Sequence, residues 1–208
     1  MVKSRNEHIK CVILGDSSVG KTSMLNTYLN GNFNPNMGNT IGACYWEKTI
    51  LIDDTTCSIG FWDTAGQERY KSLVPMYIRG ANIALLVYDT TCQFSFNSIV
   101  DWYNIVKGCN PEIKVILIGN KSDLIRIVED NQATQLSLQL DCDLFIISAK
   151  TQNNLKNLFD YIIEISKEIY EKYRKNILEN PPLASPIVLT QPNYYYNISD
   201  KIMRCCNI

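Results

Sequence analysis

Gly15-Asp-Ser-Ser-Val-Gly20-Lys21-Thr22 decides how this chain folds. The stretch follows the apolar run Cys11-Val-Ile-Leu14 and leads into an amphipathic segment from Lys21 to about Asn30. It therefore occupies the turn between a buried strand and a helix. Two glycines at this spacing, followed by Lys and Thr, form the pattern of a phosphate-binding loop, in the context that such a loop needs. The glycines let the backbone wrap a phosphate chain, and the helix N-terminus adds its partial positive charge. Lys21 neutralises phosphate oxygens and the Thr22 hydroxyl is placed for a divalent cation, so the phosphate-binding set reads as Gly15, Ser17, Ser18, Val19, Gly20, Lys21, Thr22 and Ser23. A glycine-rich turn with an exposed lysine is the plain alternative, and the flanking strand and helix argue against it.

Downstream, Ala43 to Ile52 and Thr56 to Trp62 read as two strands joined by Asp53-Asp54-Thr55, which has hairpin turn chemistry. Ile83 to Tyr88, Lys114 to Ile118 and Leu144 to Ile147 are short, nearly continuous apolar runs of the kind that parallel sheets bury on both faces. Helices are expected between them. The last helix has an apolar stripe of Leu155, Leu158, Phe159, Ile162, Ser166 and Ile169 and is expected to end near Tyr173. The expectation is an α/β fold: a six-stranded, mostly parallel sheet with one antiparallel edge strand and helices on both faces. The folded domain spans about 6–175, and 176–208, with four prolines and Tyr194-Tyr195-Tyr196, reads as a flexible tail.

Chemistry-bearing residues cluster just after the strands, on the sheet edge where open α/β folds bind ligands. Asp63 follows Trp62 and can hold a divalent cation, in the sequence reading through water. Gly66 offers an unobstructed backbone N–H that a terminal phosphate can recruit and release. Asn120-Lys121-Ser-Asp123 and Ser148-Ala149-Lys150 follow the next two strands on that edge. The Asp123 carboxylate is an acceptor pair for a purine carrying N1–H and a 2-amino group, and the Ala149 N–H suits the O6 acceptor. Adenine matches neither. Each short motif alone also fits a polar loop or a helix cap; their order along one chain makes the case.

The chain has 208 residues, 46% of them hydrophobic and 20% charged, with a net charge of −1, which is globular composition. No basic cluster marks a nucleic-acid surface, so nucleic acid is not an expected partner. No apolar run is long enough to span a bilayer, and Met1 to Ile9 is too polar for the core of a secretory signal, so a cytosolic setting is expected. Cys11, Cys44, Cys57, Cys92, Cys109 and Cys142 are scattered among apolar stretches and read as reduced core thiols.

These motifs together resemble the Ras-like small GTPases, and within them the Rab family, from Lys10 to Ile169. Trp62-Asp-Thr-Ala-Gly-Gln-Glu-Arg-Tyr70 and Tyr77-Ile-Arg-Gly-Ala81 resemble the Rab form of the second switch. Thr40-Ile-Gly-Ala43 and Ser72-Leu-Val-Pro-Met-Tyr77 are similar to the early-endosomal branch. The resemblance implies a P-loop NTPase G domain that binds GTP and GDP with Mg²⁺, hydrolyses GTP slowly, and switches conformation as it does so. It implies that Thr40 joins Thr22 and Asp63 around Mg²⁺ and touches the γ-phosphate, that Phe33 packs on guanine, and that Gln67 is the catalytic residue orienting the attacking water. The guanine set would be Phe33, Asn120, Lys121, Asp123, Ser148, Ala149 and Lys150, and the effector surface Ile41, Tyr45, Trp62 and Tyr77. Tyr45 stands where Phe is usual, Gly60 where a larger residue is usual, and Ser17 where Ras has glycine.

The terminus Cys205-Cys206-Asn207-Ile208 resembles the double-cysteine end on which Rabs carry two geranylgeranyl groups; a single-prenyl reading stays open because Cys205 is fourth from the end. One lipid binds membranes weakly, and Lys201 and Arg204 are too few for a polybasic second signal. The implied partners are an exchange factor, a GTPase-activating protein, a GDP-dissociation inhibitor or escort protein, and effectors, for a monomer that cycles between the cytosol and the cytoplasmic face of endosomal membranes. A Rab of another membrane and a non-hydrolysing GTP-binding scaffold are the competing readings. A P-loop ATPase or kinase would lack the guanine-reading Asn120, Lys121 and Asp123.

Overall fold

The computed structural model describes residues 8–38, 40–52, 55–66 and 73–179. Along β1 (His8–Leu14), Ile9, Cys11 and Ile13 enter one core cluster and Val12 and Leu14 the other. A strand buried on both faces must sit inside a sheet with a layer on each side. β1 pairs in parallel with β3 (Thr55–Thr64) on one edge and β4 (Ile83–Asp89) on the other. β5 (Lys114–Asn120) and β6 (Asp143–Ile146) continue the parallel run, and β2 (Ala43–Ile52) closes the far edge antiparallel to β3. The order β2-β3-β1-β4-β5-β6 is the expected six-stranded sheet with one antiparallel edge. Ile52 faces Thr55 across the hairpin; the Asp53-Asp54 turn lies outside the described residues.

One face of the sheet carries α1 (Lys21–Asn30) and α6 (Leu155–Glu179), whose Met24, Leu25, Leu155, Leu158, Phe159 and Ile162 fill the first core cluster. The other carries α2 (Val74–Ile78), α3 (Gln93–Asn97), α4 (Ile99–Cys109) and α5 (Asp130–Gln139), with Ile78, Phe96, Ile99, Trp102, Val106 and Ala133 turned inward. Helices thus cover both faces, as expected. Phe159 stacks on Tyr28 at 3.7 Å and meets Phe61 edge-on at 5.8 Å, which ties α6 to α1 and β3. Ser166 sits fully inside this core and satisfies its hydroxyl on the Ile162 carbonyl at 2.7 Å.

Two expectations need correction. α6 runs past Tyr173 to Glu179, because no Gly or Pro interrupts it before Pro181 and the fading apolar stripe does not itself stop a helix. Among the thiols, Cys11 and Cys57 are core residues, whereas Cys109 is exposed at the last turn of α4.

All five parallel strands end on one edge, and the order reverses at β1, whose neighbours β3 and β4 diverge. The crevice opened there is where the loops after β1, β3, β4, β5 and β6 meet.

Candidate nucleotide-binding site

The loop after β1 has the backbone of a phosphate cradle. Gly15 has φ +140°, and a Cβ there would lie 2.1 Å from the Val87 carbonyl oxygen of β4. Only glycine fits. Gly20 starts α1 at φ +93° with no side-chain cap, so the first helical N–H groups remain open toward the cleft. Lys21, 5% exposed, donates from Nζ to the carbonyls of Gly15 at 2.8 Å and Asp16 at 2.7 Å. Burial pushes its pKa down to about 8, against the opposing pull of Asp63 and Asp16. A buried ammonium whose hydrogen bonds, among the described residues, go to loop carbonyls rather than carboxylates keeps charge in reserve for an anion.

Three oxygens converge beside it. Thr22 Oγ1 donates to Asp63 Oδ2 at 2.6 Å and lies 2.7 Å from Thr40 Oγ1. Asp63 is fully buried, and its Oδ1 has no partner. An all-oxygen set with one carboxylate and an unsatisfied buried oxygen fits a hard divalent cation such as Mg²⁺. Thr22, Thr40 and Asp63 would hold it, and when bound it would supply positive charge to phosphate oxygens.

Burial pushes the Asp63 carboxyl up to about 6, with the Thr22 hydrogen bond and Lys21 opposing. In the nucleotide-free protein the native state therefore holds this proton at pH values where the unfolded chain has lost it. The contribution to stability is present below about pH 4 and lost as pH rises to about 6, on the order of 3 kcal/mol in all. Denaturant unfolding of the nucleotide-free protein across that range is expected to show this falling slope, and Asp63→Asn to remove it. Equal slopes in the two proteins would contradict the assignment.

The far end of the cleft is built by β5 and β6. The side chain of Asn120, 1% exposed, donates to the Val19 carbonyl at 3.0 Å and accepts the Ala149 N–H at 3.1 Å. It thereby ties the phosphate loop to the loop after β6. Asp123 Oδ1 accepts the Ser148 hydroxyl at 2.6 Å, which in turn accepts the Thr151 N–H at 3.0 Å. Lys121, at φ +67°, is fixed by a 2.7 Å ion pair with Asp89. The cleft measures about 340 Å³ and is lined by Ser17, Ser18, Gly20, Lys21, Thr22, Ser23, Phe33, Thr40, Gly66, Asn120, Lys121, Asp123, Ala149 and Lys150. Gly15, Val19, Asp63 and Ser148 stand behind that lining.

Met37, Gly38, Thr64 and Leu124 also line the cleft and were missed in the sequence. So was Asp89. The signal for it was available: like Asp63, it is a carboxylate at the C-terminal end of a buried strand.

Gly66 lies so close to the phosphate loop that a Cβ would sit 2.4 Å from the Asp16 carbonyl. Gln67 falls outside the described residues. So do Cys205 and Cys206. Ile41 is 82% exposed at the foot of β2. Tyr45, Trp62 and Tyr77 form one row, with ring centroids 5.3 and 6.1 Å apart. The extra Tyr45 hydroxyl has a partner in Glu47 on the same strand face, and burial together with that carboxylate pushes its pKa up to about 12. Gly60 also gains a physical reason: a Cβ there would lie 2.3 Å from the His8 ring and 2.8 Å from the Tyr45 ring. His8 fills the slot, bonded to Ser58 Oγ at 2.9 Å, and extends the row by a ring 6.1 Å from Tyr45.

The Ras family model matches residues 10–168. The chain is 38% identical over 175 residues to Ras-related protein Rab-3 of Caenorhabditis elegans, covering 83% of this chain and 78% of that protein. It is 39% identical over 163 residues to Ras-related protein Rab-5A of Dictyostelium discoideum, covering 77% of this chain and 80% of that protein. With the phosphate cradle, the cation-ready oxygens and the acceptor at Asp123 gathered in one cleft, this protein belongs to the Rab group of the Ras family of small GTPases.

Proposed function

We propose that this small GTPase binds GTP with Mg²⁺, converts it slowly to GDP, and uses the two bound states as a timer for vesicle traffic in early endocytosis. The observation that carries the nucleotide reading is the Asn120 side chain, which locks the phosphate loop to the Ala149 loop and so holds purine-reading groups at a set distance from Lys21. Asp123 is the acceptor for guanine N1–H and the 2-amino group, Ala149 N–H the donor to O6, and Phe33 the ring that covers the base. Lys21 and the α1 N-terminus balance phosphate charge. Thr40 and Gly66, on separate loops, reach the γ-phosphate and are released when it leaves. Gln67 orients the attacking water. Unaided turnover on the order of 10⁻⁴ s⁻¹ and a roughly 10⁵-fold increase with an activating protein are the scale for such a site.

The deciding experiment follows GTP bound to the purified protein over hours, for the wild type and Gln67→Leu. Slow conversion to GDP, reduced about 10-fold or more by the substitution, is expected from loss of water positioning. Tight binding with no conversion in either protein, even with an activating protein present, would favour a non-hydrolysing scaffold.

The membrane part rests on the paired cysteines Cys205 and Cys206 and on the likeness of Thr40–Ala43 and Ser72–Tyr77 to the early-endosomal branch. Geranylgeranyl groups on Cys205 and Cys206 would anchor the GTP form, and a dissociation inhibitor or escort protein covering both lipids would return the GDP form to the cytosol. A tagged full-length protein is expected on early endosomes. Steady residence on the Golgi would overturn the compartment and leave the GTPase reading intact.

A further inference from the structure

Asp16 puts a carboxylate inside a loop whose work is to bind phosphate. Its carbonyl is engaged: it accepts Lys21 Nζ at 2.7 Å, and Gly66 packs directly against it. Left to itself, the side chain would either face the cleft and repel the phosphates or draw Lys21 away from them. It does neither. Asp16 is absent from the residues lining the cleft, although its neighbours Ser17 and Ser18 line it. Its Oδ1 accepts the indole N–H of Trp102 at 2.9 Å, and its Oδ2 is buried without a hydrogen-bond partner.

Trp102 is well placed to hold it. It lies on α4, 1% exposed, in the core cluster between that helix and the sheet, with Ile99 and Val106 as inward-facing neighbours one turn away on either side. A large ring packed that tightly has little freedom to turn, so its N–H is aimed by the core rather than by the loop. One hydrogen bond from a rigid donor to an otherwise unsatisfied half-buried carboxylate is strong because the alternative is an orphaned charge.

We propose that Trp102 is a positioning residue for the nucleotide site: its indole N–H draws the Asp16 carboxylate toward α4 and keeps that charge out of the phosphate cleft. This rests on the guanine-nucleotide reading above. Without the donor, the carboxylate is free to turn toward Lys21, competing with the β- and γ-phosphates for the same ammonium.

The test measures GDP release in Mg²⁺ from the wild type, Trp102→Phe and Trp102→Phe with Asp16→Asn. The phenyl ring keeps most of the packing and removes the donor. Trp102→Phe is expected to release GDP about 10-fold faster or more, the scale of losing a charge-assisted hydrogen bond. Neutralising Asp16 in that background is expected to restore most of the slow release, a rescue that repair of packing alone does not produce. Release unchanged by Trp102→Phe, or accelerated and indifferent to Asp16→Asn, would overturn the proposal. If Trp102→Phe fails to unfold cooperatively, Trp102→Leu with and without Asp16→Asn repeats the comparison: faster release that Asp16→Asn reverses supports the proposal, and release indifferent to Asp16→Asn overturns it. A wild-type protein that retains no guanine nucleotide would defeat the parent reading, a result distinct from either of these.

Discussion

Replacing Asp123 with Asn is expected to lower GDP affinity about 10³-fold and to create affinity for xanthosine diphosphate. Asp123 receives two N–H groups of guanine in the proposed pose, and hydrogen bonds to a charged acceptor contribute about 1.5–3 kcal/mol each. Asparagine removes the charge and turns an N–H₂ toward a donor, so one bond is lost and replaced by a clash of like dipoles. Xanthine carries an oxygen where guanine carries the 2-amino group, and the same amide then finds an acceptor. The residue is well placed for such a reversal because Ser148 fixes it at 2.6 Å, so the substituted side chain inherits its orientation. Equilibrium titration with fluorescent GDP and xanthosine diphosphate gives both arms. An unchanged GDP affinity would mean that the base lies elsewhere.

Gly66→Ala is expected to slow hydrolysis of preloaded GTP about 100-fold while weakening GDP binding far less. The added methyl would meet three backbone atoms of the phosphate loop, Asp16 C and O and Gly15 O, each at 2.4 Å. Backbone cannot step aside as a side chain can, so the start of the second switch must back away from the cleft. A displacement near 1 Å at a reacting centre costs about 10²-fold in rate. Base recognition depends on Asn120 and Asp123, on loops other than the one whose carbonyls the methyl meets. Single-turnover hydrolysis beside GDP release separates the two effects, and wild-type hydrolysis in the variant would remove Gly66 from the switching role.

Much of this was legible along the chain. The bounds of α1 were readable because Gly20 and Gly31 bracket it, and those of β2 because its apolar run stops at the acidic turn. The parallel strands showed as unbroken apolar runs, since both faces are covered. What escaped was either too short or too distant. α2 and α3 span five residues each, less than two helical turns, so no period can establish itself in them. The Asp89–Lys121 ion pair and the Trp102–Asp16 hydrogen bond join residues on different elements, and only the parallel register that sets β4 between β1 and β5, with α4 packed on β4, makes them neighbours. Gln67, Cys205 and Cys206 were singled out by pattern and still rest on pattern.

The slot above Gly60 bears on how such a protein can change over time. His8, Tyr45 and Gly60 come from three strands and share one space: a side chain at 60 would displace the exposed imidazole and crowd the Tyr45 ring. The three positions should therefore drift together, each substitution permitted only on the right background. Anyone transplanting the hairpin of a relative into this protein would need to bring that relative's residue at position 8 as well, or inherit two rings competing for one berth.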